Sequence, residues 1–144
     1  VNSDSRGTLV ETFRKDELPG YLMPAMSYIS YTKPGISRGP HEHTCQTDIF
    51  SFIGPGNFEL HLWDRREKSS TKGNKMIITA GESNPVTVIV PPGVVHGYKN
   101  ISSKLGMVIN YPDKLYRGDN KKDKVDEIRH EDREDYFYLD FIKE

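Results

Sequence analysis

Two short segments carry residue types able to do chemistry: Arg38-Gly39-Pro40-His41-Glu42-His43 and Pro91-Pro92-Gly93-Val94-Val95-His96-Gly97-Tyr98-Lys99-Asn100. On an extended chain successive side chains alternate sides, so His41 and His43 point the same way and their rings can converge on one point. Asp48 follows five residues after His43, and His96 comes from the start of a second, distant strand. Three imidazoles and a carboxylate make a set that holds one divalent transition metal such as Zn, Fe, Ni or Mn. Without a metal, the same imidazoles titrate near neutrality and can act as proton bases. A purely structural role fits poorly, because paired histidines beside Arg38 and a carboxylate are hard to leave unpartnered in a core. His61 is balanced between a site role and a half-exposed strand position, and His130, in a charged stretch, reads as solvated.

The elements that must position these residues are short strands. Apolar residues fall into brief runs punctuated by Gly and Pro, which excludes long helices and predicts an all-β fold. Strands are expected over Met26–Tyr31, Ile49–Ile53, Phe58–Trp63, Met76–Thr79, Val86–Val90 and Met107–Asn110. The Gly54-Pro55-Gly56-Asn57 turn predicts that Ile49–Trp63 is one hairpin. Six or more strands at about ten-residue spacing predict a small barrel or jelly roll over residues 1–144, with a pocket at its mouth. From Asp113 to Asp135, 16 of 23 residues are charged. This reads as a solvated loop leading into a short helix around Val125–Asp132, or as a lid. The aromatic stretch Tyr136–Ile142 should pack back on the barrel or on a second subunit.

Composition narrows the classes of function. At 144 residues one domain is the natural expectation. A formal net charge of -1 lacks the footprint of a nucleic-acid binder or a polybasic membrane-surface protein. No apolar run approaches the roughly 20 residues that span a bilayer. Val1–Thr8 have neither the basic start nor the apolar segment of a signal peptide, and the single cysteine, Cys45, fits a reducing cytoplasm.

Two family resemblances follow. His41-x-His43, Asp48 and Gly54 resemble the first cupin motif, and Pro91-x-Gly93-x-x-His96-x-x-x-Asn100 matches the second. The resemblance implies a cupin jelly-roll barrel (double-stranded β-helix) and allows a metal on His41, His43, Asp48 and His96. More of the chain, roughly residues 4–130, resembles the dTDP-4-dehydrorhamnose 3,5-epimerase family, cupin barrels that act without a metal or other cofactor. Asp4-x-Arg6-Gly7 with Glu11 and Phe13, then Gly35-Ile36-Ser37-Arg38-Gly39-Pro40-His41, resemble its first strand and its Arg-Gly-x-His segment. Asp64, Arg66, Ser69, Thr71 and Gly73, then Pro92-Gly93 with His96-Gly97, match later motifs in order.

That second resemblance implies a cytoplasmic homodimer acting on a nucleoside-diphosphate 4-keto-6-deoxy sugar in deoxysugar or cell-surface polysaccharide biosynthesis. His41 is then the base that removes the proton beside the ketone. Tyr116, with Tyr111 in reserve, returns a proton on the opposite face. Arg6 and Arg38 hold diphosphate oxygens, Glu11 faces the nucleoside base, and His43, His61, His96 and Tyr111 line the sugar pocket. Glu59 stands where a family carboxylate orients the catalytic ring, which places Glu59, His61 and Trp63 inside the barrel and Phe58, Leu60 and Leu62 outside.

The family's Gln-Gly-Lys, whose lysine stabilises the enolate oxygen, is here Gln46-Thr47-Asp48. That substitution makes Asp48 a candidate site residue in its own right and calls for another donor, such as His43 or Lys99. Related sugar ketoisomerases share the barrel and a histidine pair, so keto migration is a neighbouring possibility. A metal-dependent cupin enzyme explains His43 and Asp48 better, and a non-catalytic sugar-binding cupin explains the missing lysine.

Overall fold

A computed structural model describes residues 1–132 together with Tyr138 and Phe141. Two antiparallel sheets face each other. One has four strands, β3 (Tyr28–Thr32), β10 (Gly106–Asn110), β5 (Asp48–Phe52) and β8 (Val86–Val90), in that spatial order. The other has five, in the order β11 (Ile128–Arg129), β4 (Ser37–Glu42), β9 (Val94–Asn100), β6 (Asn57–Asp64) and β7 (Lys75–Gly81). A separate two-stranded arm, β1 (Asn2–Asp4) with β2 (Gly7–Leu9), is exposed throughout. The fold is the all-β jelly roll that strand spacing predicts.

The expected Ile49–Trp63 hairpin does not form. β5 pairs with β8 and β10, whereas β6 pairs with β7 and β9, so the Gly54–Asn57 turn carries the chain from one sheet to the other. Gly56 sits there at φ +87°, and a Cβ on it would stand 2.8 Å from the Gly106 Cα. A turn packed so closely on β10 makes a corner between sheets, because crossing leaves both strands free to pair elsewhere.

The face assignment of β6 is also corrected. Phe58 and Leu60 are buried with Phe50, Phe52, Val90, Tyr98 and Val108 between the sheets, and Leu62 packs against them. Glu59, His61 and Trp63 therefore face outward. Burial between the sheets favours the three apolar side chains over a carboxylate and an imidazole. On the outer face Trp63 and Val95 are covered by Tyr138 and Phe141, with ring centroids 4.9 Å apart for Trp63–Tyr138. The aromatic terminus thus packs back at those two residues, and the rest of Tyr136–Ile142 lies outside the described residues.

No helix forms over Val125–Asp132. Ile128 and Arg129 instead pair with Glu42 and His41 of β4. His130 is not solvated: it is fully buried, and its Nε2 lies 2.9 Å from Glu42 Oε1. The charged segment before it lines the cavity at the barrel mouth, in the position of a lid. Asp64, which accepts from Arg66, Ser69 and Thr71, ties together its own loop. Among the described residues, no helix is long and apolar enough to cross a membrane.

Candidate active site

The cup of the barrel opens into a cavity of about 1820 Å³, bordered by Tyr28, Arg38, His41, His43 and Tyr116 among others. A β-bulge brings Arg38 and His41 to it together. Arg38 pairs with Tyr98 and His41 with His96, so three steps on β4 span two on β9. In a regular strand residues three apart face opposite sides; the extra residue turns both inward. Gly39 makes this fit possible, since at φ +83° a Cβ would lie 2.7 Å from the His96 carbonyl oxygen.

The histidines converge as their spacing predicts. Ring centroids are 4.4 Å apart for His41 and His96 and 5.7 Å for His41 and His43. Asp48, 1 % exposed, joins them with its Oδ2 3.0 Å from His43 Nε2 and 3.2 Å from His96 Nε2. One ligand atom from each of His41, His43, Asp48 and His96 lies within 4.8 Å of all the others. Burial works to raise the Asp48 carboxyl, but the His43 and His96 rings beside it override this and hold the group well below the usual carboxylate range. Burial likewise opposes charge on His43, yet the contact with Asp48 leaves that ring raised. For His41, burial and then the His96 and His43 rings push the value down to about 3, so it is neutral at working pH.

Tautomers bear on metal binding. His43 Nδ1 bonds the Asp126 carbonyl, and His96 Nδ1 lies 3.0 Å from the Val94 carbonyl. A carbonyl can only accept, so both Nδ1 atoms carry protons. Both rings then present Nε2 to Asp48 Oδ2. His96 Nε2 and Asp48 Oδ2 are both buried without a hydrogen-bond partner. This donor set fits a divalent transition metal.

Two residues of the lid were not visible as site residues in the sequence. Glu127 Oε1 lies 4.0 Å from His41 Nδ1, making it the carboxylate beside the candidate base. Asp126 accepts backbone N–H bonds from Thr44, Cys45 and Gln46 at 2.8–2.9 Å, while its own carbonyl holds His43. Both sit in a charge-dense run where nothing in spacing separates them from their neighbours. The turn they grip had a signal only in the small polar residues Thr44-Cys45-Gln46.

Other expected site residues lie elsewhere. Glu59 cannot orient His41: it sits on the outer face of β6 with its Oε1 2.5 Å from His61 Nε2. His61 stacks near Phe141 on that same face, at 4.9 Å between centroids, and not in the cup. The Tyr111 hydroxyl donates to Thr12 at 2.9 Å and does not border the cavity. Lys99 alternates with the core residue Tyr98 on β9 and so faces away from the cup. On the exposed N-terminal segment Arg6 pairs with Asp4 and Glu11 with Arg14, both outside the cavity of this chain. Tyr116 does border it, from the lid.

A jelly roll with a histidine-lined cup and an arginine at its rim has the layout that the two sequence motifs imply. The polysaccharide biosynthesis C-terminal domain model matches residues 2–125, and the chain belongs to that family. It is 39% identical over 117 residues to the probable low-salt glycan biosynthesis epimerase Agl13 of Haloferax volcanii, covering 81% of this chain and 74% of that one. Over 125 residues it is 33% identical to the spore coat polysaccharide biosynthesis protein SpsL of Bacillus subtilis, covering 85% and 80% respectively. The fold is that of a dTDP sugar isomerase from Desulfovibrio desulfuricans G20, with a TM-score of 0.78, 23% identity, and coverage of 94% of this chain and 81% of that one.

Proposed function

We infer that this chain is a nucleotide-sugar epimerase that inverts a carbon beside the ketone of a nucleoside-diphosphate 4-keto-6-deoxy sugar. The observation that carries the reading is His41 lining the cavity beside Glu127, with Arg38 on the same strand, in a chain related to a probable glycan biosynthesis epimerase. His41 takes the proton, the electron pair of the broken C–H bond moves into the enolate, and Tyr116 gives a proton to the opposite face. The charge His41 gains lies 4.0 Å from the Glu127 carboxylate, which favours the charged form. Arg38 has Nε and one Nη committed to Thr32 and the Tyr31 carbonyl, which fixes the fork and leaves its other Nη for a diphosphate oxygen.

The finer parts of the reading are a homodimer and a cytoplasmic setting. The β1–β2 arm stands clear of both sheets, which suits an arm that carries Arg6, with Glu11 just beyond it, to the cavity of a second copy. Exposed Cys45, with no disulfide, suits a reducing compartment. The test of the function is incorporation of solvent deuterium into a dTDP-linked 4-keto-6-deoxyhexose, with inversion at the exchanging carbon. Intact recovery of substrate with no deuterium overturns it.

A second reading is favoured by the convergence of one ligand atom from each of His41, His43, Asp48 and His96 within 4.8 Å. In it His41, His43, Asp48 and His96 hold one divalent transition metal. When bound, such an ion polarises a ketone or hydroxyl oxygen. Protein purified without chelator is then expected to carry near-stoichiometric Zn, Fe, Ni or Mn by elemental analysis, and a His43→Ala variant to lose it. Metal-free wild-type protein that still exchanges deuterium would sink this reading.

A further inference from the structure

Removing a proton beside a ketone places negative charge on the ketone oxygen, and the site needs a donor there. Asp48, in the place of the lysine that the resemblance led one to expect, cannot be that donor: it is an anion committed to His43, His96, Gln46 and Asn110. Lys99 faces away from the cup, and Arg38 sits at the rim.

The hydrogen bonds around Asn110 point to a different group. Asn110 is 1 % exposed. Its Oδ1 accepts the Ile49 backbone N–H at 3.1 Å, which fixes the orientation of the amide. Its Nδ2 then spends both hydrogens, one on Asp48 Oδ1 and one on the Tyr28 hydroxyl oxygen, each at 2.9 Å. A phenol has one proton and acceptor capacity on its oxygen. Because the Tyr28 oxygen is already accepting from Asn110, and no other partner holds the hydroxyl among the described residues, its proton is left to donate. Tyr28 borders the same cavity as His41 and His43. Within the cup it belongs to the sheet that faces β4, the strand bearing His41.

We propose that Tyr28 is the hydroxyl that donates to the ketone oxygen of the sugar as enolate charge develops, with Asn110 and Asp48 fixing the direction of its proton. This rests on the epimerase reading and assigns it a further catalytic residue. No proton need leave Tyr28: the C–H proton goes to His41, the electron pair to the enolate, and the phenol strengthens one hydrogen bond. Although 45 % of the residue is exposed, partial burial pushes the phenol's pKa up to about 12, and it is a neutral donor at working pH. A phenol serves as an oxyanion donor in other enzymes that abstract a proton beside a carbonyl.

The experiment uses the purified wild-type protein and Tyr28→Phe with a dTDP-linked 4-keto-6-deoxyhexose carrying ¹³C at C4. In the variant, deuterium exchange is expected to fall about 10²–10³-fold while dTDP binding is unchanged. The bound C4 resonance, moved downfield by the hydrogen bond in wild type, should return toward its free position. An exchange rate equal to wild type, or an identical C4 position in both proteins, overturns the proposal. If wild type itself fails to exchange, the epimerase reading falls, and the C4 shift still decides Tyr28: a shift lost in Tyr28→Phe supports the donor, and one that is unaltered removes it.

Discussion

His41→Asn is expected to reduce solvent-deuterium exchange into the sugar by about 10²–10⁴-fold, the range a general base contributes, while nucleotide affinity is retained. Asparagine keeps a polar group of similar reach but cannot accept a proton at neutral pH. The neighbourhood tolerates it, since a neutral ring is replaced by a neutral amide. Nucleotide binding is untouched in this account because Arg38 is fixed by Thr32 and Tyr31 and not by His41. Isothermal titration with dTDP alongside the exchange assay separates the two effects. Exchange at the wild-type rate would remove His41 as base, and loss of dTDP binding in step with exchange would show a collapsed cup instead.

Gly39→Ala should damage stability and activity together. The new Cβ would need to sit 2.7 Å from the His96 carbonyl oxygen and 3.1 Å from the Gly97 Cα, at a φ of +83° that L side chains rarely adopt. Both obstacles are backbone, so β4 must move away from β9. A strained conformation of this kind costs about 1–3 kcal/mol before the clash is counted. We expect a loss of roughly 3 kcal/mol in urea unfolding at constant m-value, with exchange reduced by more than the unfolded fraction explains. The second part follows because the bulge aims both Arg38 and His41. A variant as stable as wild type would contradict the bulge as described.

The sequence reveals the histidine cluster and the strands better than it reveals their surroundings. His41, His43 and His96 are legible because period-two spacing and a Pro-x-Gly-x-x-His segment each specify a direction. β8 lies where its apolar run predicts, and β6 extends one residue beyond its predicted ends on each side. Strand partners are not local information, however. A Gly-Pro-Gly-Asn turn has the same composition whether it closes a hairpin or a corner between sheets, so it does not reveal that β5 and β6 belong to different sheets. Glu59 fails for a related reason. A strictly alternating strand offers two faces, and the choice between them depended on which face the opposite sheet covers. Glu127, Asp126 and His130 are hidden by their neighbours. In a run of mixed charges, only pairing of Ile128–Arg129 with β4 distinguishes buried groups from solvated ones. Tyr28 emerges only from the bonds that exhaust Asn110.

Asp126 grips the Thr44–Gln46 turn with its carboxylate and His43 with its carbonyl, while the neighbouring β11 is fastened to β4 and His130 to Glu42. Segment opening and ring orientation are consequently a single equilibrium. Peeling back this stretch releases His43 from its Nδ1 partner, so a molecule that favours the held ring also opposes peeling. Coupling of this sort is reciprocal. Whatever tightens the segment must improve affinity at the histidines by the same factor, and local unfolding of this charge-dense stretch becomes a reporter of occupancy deep in the barrel.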